Sequence, residues 1–331
     1  MNTMDPQGLP LSDSDAIDLY RTMVRIREFE TTAERLFLKG EIPGFLHLSI
    51  GQEAVAAGVC KTLRKDDYLT STHRGHGHTL AKGATARSMM AELFGRDAGM
   101  CRGRGGSMHI ADFSVGMLGA NAIVAGGLGI TVGAALSAKF AGRDQVSVSM
   151  FGDGATARGP FHESLNMAKV WNLPAIFVCE NNGWASTTRS EELLAVSHIA
   201  DRAVAYAMPG VAVDGNDVFA VLTAMRTAVQ RARDGGGPTL LEARSYRNRG
   251  HYVGDPMRYR NSFDDAAWQE RDPLAVARNT LAQQGILDDQ LAQQIDEEAA
   301  AEIKDSVDFA RAQPEPEPGR LFDYLYADAI I

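Results

Sequence analysis

The stretches QVSVSMFGDG (residues 145–154) and PAIFVCENN (residues 174–182) carry the strongest structural signal in the chain. Each is a short run of β-branched and apolar residues that stops at small or polar ones, the pattern of a buried strand and the turn after it. Between them Pro160 stands where the first turn of a helix accepts it, and the helical pattern runs to Trp171. The segment therefore reads as strand, helix, strand, a crossover that makes the two strands parallel. In a parallel sheet the carboxyl ends of neighbouring strands open onto one crevice, so Asp153 and Asn182 should meet there.

The alternation continues downstream with a helix over 199–207, a strand over 211–213, a helix over 217–232 closed by Gly235 to Gly237, and a strand over 239–245. The expectation is an α/β fold: a three-layer, doubly wound, mainly parallel sheet. Upstream, Ser12 with Asp15 reads as a helix cap, and Leu19, Met23, Ile26, Ala33 and Phe37 recur at helical spacing before Gly40. Residues 1–40 thus read as an N-terminal helical arm. Residues 41–120 show little periodicity and read as binding loops on a scaffold. Residues 117–138 carry no charge and reach the length of a membrane span, but Gly and Ala dominate them and Asn121, Thr131 and Ser137 interrupt them. A closely packed helix accounts for that composition better, and Gly129, Gly133 and Ser137 would line one face of it, against the rest of the fold or another subunit. Residues 246–271 read as an irregular ligand-ordered loop, followed by helices over 273–284 and 288–313. That sets the main domain at 41–313 and leaves 314–331 as a Pro-rich spacer and tail.

Composition narrows the function classes. Across 331 residues, 33 Lys and Arg face 42 Asp and Glu, a formal net charge of −9, so nucleic acid and anionic membrane are excluded as partners. Apolar residues at 45% and charged residues at 23% are those of a globular domain. The 3 cysteines are odd in number and widely spaced, and the first ten residues lack a secretory pattern, which together imply a cytoplasmic chain.

Asp153 and Asn182 offer hard oxygen ligands suited to Mg²⁺ or Ca²⁺, and Mg²⁺ shares its coordination sphere with phosphates. Gly152 and Gly154 let backbone amides approach a diphosphate, with a helix start beyond them. A second reading exists, because Gly152, Gly154 and Ala157 also satisfy a dinucleotide fingerprint with Glu180 as the ribose ligand. Asp153 favours the first reading: a carboxylate in that turn repels a pyrophosphate unless a divalent ion bridges the two. His73, His76 and His78 could suggest zinc, but no fourth ligand lies nearby in sequence. Cys179 belongs to the strand pattern and reads as inert core.

The spacing of Gly152-Asp153-Gly154-Ala155 and Asn181-Asn182 resembles the thiamine-diphosphate signature. With Phe161-His162-Glu163, Asn166-Met167-Ala168, Gly51-Gln52-Glu53-Ala54, His73-Arg74-Gly75-His76-Gly77, Gly105-Gly106-Ser107-Met108-His109 and Gly250-His251, the chain resembles the alpha subunits of dehydrogenases that feed lipoyl acyltransferase complexes. These act on pyruvate, branched-chain 2-oxo acids or acetoin. The resemblance covers residues 15–320 and implies the thiamine-diphosphate-binding fold. It further implies Mg²⁺ held by Asp153, Asn182 and the Trp184 carbonyl. The diphosphate would be held by Gly152, Gly154, Ala155, His73, Arg74 and His251, and Ala122 and Val124 would support the bent cofactor. His47, His76 and His251 would face the reacting groups.

The same resemblance implies what the chain lacks. The glutamate that activates the cofactor's pyrimidine ring comes from a beta subunit, so the expected assembly is a heterotetramer of two alpha and two beta chains serving a lipoyl acyltransferase. The blocks around Ile42 to Phe45, Thr70 to His78 and Glu180 to Ala185 look most like the acetoin branch. Pyruvate enzymes more often place Tyr where His73 stands here. Tyr252 occupies the place of a regulated serine in eukaryotic pyruvate enzymes, so kinase control there is not expected.

Overall fold

A computed structural model describes residues 11–260, 268 and 270–323. In chain order, helix α1 (Asp13–Leu38) and α2 (Glu53–Cys60) precede strand β1 (Tyr68–Thr72) and the short helices α3 (His76–Ala81) and α4 (Ala86–Leu93). Strand β2 (Met117–Asn121), helix α5 (Gly126–Phe140), strand β3 (Ser147–Gly152), helix α6 (Gly159–Val170) and strand β4 (Ala175–Asn181) follow. A small antiparallel pair, β5 (Trp184–Ala185) and β6 (Thr188–Arg189), leads to α7 (Ser190–Leu193). Next come β7 (Gly210–Asp214), α8 (Val218–Arg233), β8 (Thr239–Arg244), α9 (Pro273–Gln283) and α10 (Asp289–Ala312).

Six strands form one sheet in the order β2-β1-β3-β4-β8-β7, and every neighbouring pair is parallel. The central strands are buried on both faces because both are covered, as parallel sheets require. Val148, Met150, Ile176, Val178 and Leu241 pack with residues of α1, α2, α4, α8 and α10. Phe177, Cys179 and Leu240 face the other way, onto Leu128, Val132, Phe161 and Leu165 of α5 and α6. The expected doubly wound three-layer fold is therefore present. On the first face α1 and α2 also pack with α8, α9 and α10 through Leu19, Met23, Ala54, Phe219, Leu281 and Ile295. Helix α1 is thus built into the main core rather than standing apart as an arm.

Three local expectations need correction. Residues 117–138 are a strand and then a helix, because Asn121 turns its side-chain oxygen onto the Ile123 amide (2.8 Å) and Ala125 takes a left-handed φ of 70°. Gly127 lets α5 sit on the sheet, since a Cβ there would lie 2.9 Å from the Thr70 hydroxyl. Among the described residues no helix is long and apolar enough to cross a membrane. Residues 199–206 form a 3-10 helix instead of an α-helix. Residues 41–121 hold three α-helices, a single 3-10 turn at Phe113–Val115 and two strands, none longer than eight residues and so too short for periodicity to show.

Strand order places the working end of the sheet. The chain leaves β1 towards β2 on one side and resumes with β3 on the other, which makes the β1–β3 boundary a topological switch point. His73 and Arg74 follow β1, Asp153 follows β3, and Asn182 follows β4.

Candidate functional site

At these carboxyl ends lies a cavity of about 590 Å³. It is lined by His47, His73, Arg74, Ala122, Val124, Gly152, Asp153, Gly154, Ala155, Asn182, Trp184 and His251. The chain brings these together from six separate segments, as expected from sequence. His76 is the exception. It lines no part of the cavity wall and is fully buried, its ring held between Glu30 (2.9 Å) and the Ser107 hydroxyl (2.9 Å). The expectation that His76 faces reacting groups is corrected accordingly: helix α3 begins at that residue and turns it inward. His73, His76 and His78 point to three different places, since His78 bridges Ser71 and Glu180, so the triplet is not a zinc site. The imidazoles that do converge are His47, His73 and His251, with ligand nitrogens within 4.8 Å of one another.

The electrostatics of the cavity call for an anion. Arg74 is buried and donates to the Leu48 carbonyl (2.7 Å) and the His251 carbonyl (2.6 Å). Arg247, also buried, donates to the Ser186 carbonyl (2.8 Å) and the Tyr259 hydroxyl (3.2 Å). Neither guanidinium pairs with a carboxylate among the described residues. Burial first, and the charge of Arg247 second, pull Arg74 down to about 9. Two buried cations that no carboxylate touches are costly unless an anion arrives between them. The His47 Nδ1, His73 Nε2 and Gln52 Nε2 atoms are likewise buried without a hydrogen-bond partner, as expected where a polar ligand completes the site.

Opposite the cations stands Asp153. Its carboxylate accepts from the Gly154 amide (2.7 Å) and from the Ser190 hydroxyl, and burial pushes its pKa up. Asn182 donates to Gln52 (3.1 Å), and its side-chain oxygen accepts from the Trp184 amide (3.2 Å), which leaves that oxygen a second lone pair. A buried carboxylate beside an amide oxygen suits a divalent cation that a diphosphate would share. Gln52, Arg247 and Ser190 were not singled out from sequence. The signals were present in Gly51-Gln52-Glu53 and Tyr246-Arg247, but nothing local shows that those side chains turn inward.

Glu180 weighs against the dinucleotide reading. A ribose ligand must be free, whereas Glu180 is buried and held by His78 at 3.1 Å. Moreover Asp153–Ala157 is a 3-10 turn, and the following helix starts only at Gly159, away from the fingerprint glycines.

The three converging imidazoles carry a pH prediction. Burial, then the charge of Arg74, lower His73 to about 2, His47 to about 3 and His251 to about 4. Their unfolded values lie near 6.5, so the unfolded chain binds more protons below that pH and the folded form loses stability as pH falls. Each such group contributes up to about 1.4 kcal/mol per pH unit of this loss. Urea unfolding of the unliganded chain between pH 7.5 and 5 should therefore show a shallower decline in His73→Asn than in the wild type. Equal slopes would refute it.

Fold and crevice define an enzyme of the thiamine-diphosphate-binding α/β class. The Dehydrogenase E1 component family matches residues 21–319, and the chain belongs to that family. It is 46% identical to the alpha subunit of acetoin:2,6-dichlorophenolindophenol oxidoreductase from Bacillus subtilis, over 98% of each chain. It is 45% identical to the subunit of the same description from Cupriavidus necator, again over 98% of each. The pyruvate dehydrogenase E1 component subunit alpha of Porphyra purpurea is 41% identical over 97% of each chain. Family membership brings the use of thiamine diphosphate, and an alpha chain of this kind works with a beta subunit and an acyltransferase complex.

Proposed function

We propose that this chain is the alpha subunit of an acetoin-cleaving dehydrogenase, which releases acetaldehyde and passes the acetyl unit to a lipoyl acyltransferase. The pair of buried guanidiniums facing Asp153 and Asn182 carries the diphosphate half of this reading. The two acetoin-oxidoreductase relatives support the substrate. In this proposal Asp153, the Asn182 side-chain oxygen and the Trp184 carbonyl hold Mg²⁺. Arg74, His73 and His251 grip the diphosphate with the backbone of Gly152, Gly154 and Ala155, while Arg247 adds charge. Ala122 and Val124 form the lip on which the cofactor bends, and His47 faces the substrate. Bound thiamine diphosphate supplies the carbanion and the electron sink for carbon–carbon cleavage. The beta subunit supplies the activating glutamate in a heterotetramer of two alpha and two beta chains. The free cysteines and acidic charge fit a cytoplasmic setting.

Acetoin has no carboxylate, so its site needs no cation to hold one. Arg74 and Arg247 are therefore left to the diphosphate. The test is a kinetic comparison of the reconstituted alpha–beta pair with an artificial electron acceptor. Acetoin should exceed pyruvate and branched 2-oxo acids in kcat/KM by at least about tenfold, a margin of about 1.4 kcal/mol. Preference for pyruvate would install the second reading, which the Porphyra relative favours.

A further inference from the structure

Glu30, His76 and Ser107 form a buried chain outside the cavity that the proposed chemistry leaves unused. Glu30 of α1 accepts from His76 Nδ1 (2.9 Å), and His76 Nε2 meets the Ser107 hydroxyl (2.9 Å). The order carboxylate, imidazole, hydroxyl is that of a nucleophile triad. Attack by Ser107 is nevertheless ruled out by its surroundings. The Gly105 and Gly106 amides, which would have to stabilise an oxyanion, already donate to Glu92 at 2.8 and 3.1 Å, and Ser107 is absent from the cavity wall.

The two ends of the chain reveal another role. The second Glu30 oxygen accepts from both the amide (3.1 Å) and the hydroxyl (2.7 Å) of Ser49, two residues beyond His47. Ser107 immediately precedes Met108, and both His47 and Met108 line the cavity. Burial alone would push Glu30 up, but the neighbouring His76 and Ser49 outweigh it and hold the carboxyl below its usual range. Glu92 meanwhile takes four backbone amides, those of Cys101, Gly103, Gly105 and Gly106, and so freezes the glycine-rich loop up to Ser107. Loop and His47 segment have no strand pairing to align them. A loop that has lost its supporting hydrogen bonds shifts by ångströms, and such shifts are enough to weaken substrate placement.

We infer that His76 is a positioning residue: with Glu30 and Ser107 it holds the His47 and Met108 segments in register on the cavity wall, and thereby sets the affinity for the small substrate. The inference rests on the proposed reading of the cavity as the substrate site.

The experiment uses the thiamine-diphosphate-loaded alpha–beta complex with Ser107→Ala and His76→Gln. Both should raise KM for acetoin by about tenfold while kcat stays within about twofold, even where the thermal midpoint falls because a buried hydrogen-bond partner has been removed. Hydrogen exchange should quicken at residues 105–109 and 47–50 and stay unchanged in β3 and β4. Unchanged KM with unchanged exchange would overturn the inference, as would a fall of kcat in step with thermal stability, which marks a merely structural role. Should His76→Gln not fold, Ser107→Ala, which removes one hydroxyl, decides alone. If the wild-type complex turns over pyruvate and not acetoin, the substrate assignment fails, and the same KM and exchange comparison made with pyruvate still decides the positioning role.

Discussion

Replacing Asp153 by alanine is expected to abolish turnover, by roughly a thousandfold or more, because the cation bridge between protein and diphosphate is lost. Stability should not follow activity. Burial raises the pKa of Asp153, which means that the folded state resists its charge, so removing the carboxylate relieves the unliganded fold at neutral pH. The expected pattern is an unliganded thermal midpoint equal to or above the wild-type value, together with disappearance of the upward shift that Mg²⁺ and thiamine diphosphate produce in the wild-type alpha–beta complex. Thermal shift with and without the two ligands reads both. A variant that still gains stability from the ligands and still turns over would remove Asp153 from the proposed role.

The second large effect concerns the partner. Purified alone, the chain should show no acetoin turnover, and adding the beta subunit should restore it. The cavity supports this, for the two carboxylates that line it among the described residues are accounted for: Asp153 sits at the proposed metal position and Glu180 is held by His78. Neither is free to act at the Val124 lip, where Ile123 is 71% exposed and Val124 48%. From that lip an apolar face continues along α5 and α6 through Ile130, Phe140, Val170 and Trp171, all exposed. Gly129 and Gly133 lie on it with no atom within 4 Å of where a Cβ would be. Such a face on one chain marks a protein interface. Light scattering alongside activity would follow assembly and turnover together, and substantial turnover by the isolated chain would sink the prediction.

Much of this architecture was legible in the strand–helix–strand segment because its strands are buried on both faces, which leaves short runs with no charged residue ending at the residues that matter. Asp153 and Asn182 could be placed from sequence because topology alone sends them to one crevice. His76 could not. It stands three residues after His73, and only the start of α3 at His76 separates a cavity ligand from a buried strut. The 41–120 region was opaque for a different reason. All eight residues of α2 are buried, so no polar face exists to mark a helical period. The segment from Met117 lost its boundary because a buried strand and a small-residue helix share one composition, and the turn at Asn121 that divides them depends on a single side chain.

The end of the described chain returns to the glycine-rich loop and the turn before it. The Asp97 amide donates to the Pro314 carbonyl (3.1 Å), Arg96 pairs with Glu315 (3.3 Å), and Arg104 donates to the carbonyls of Arg320 (2.5 Å) and Asp323 (2.9 Å). These bonds join residues up to 219 positions apart. During synthesis the glycine-rich loop therefore leaves the ribosome long before its outer support exists, although the Glu92 clamp, only 9 to 14 residues away, can close at once. The outer contacts of this loop are consequently the last to become available, only once residue 323 has emerged, whereas every residue that lines the cavity has been made by residue 251.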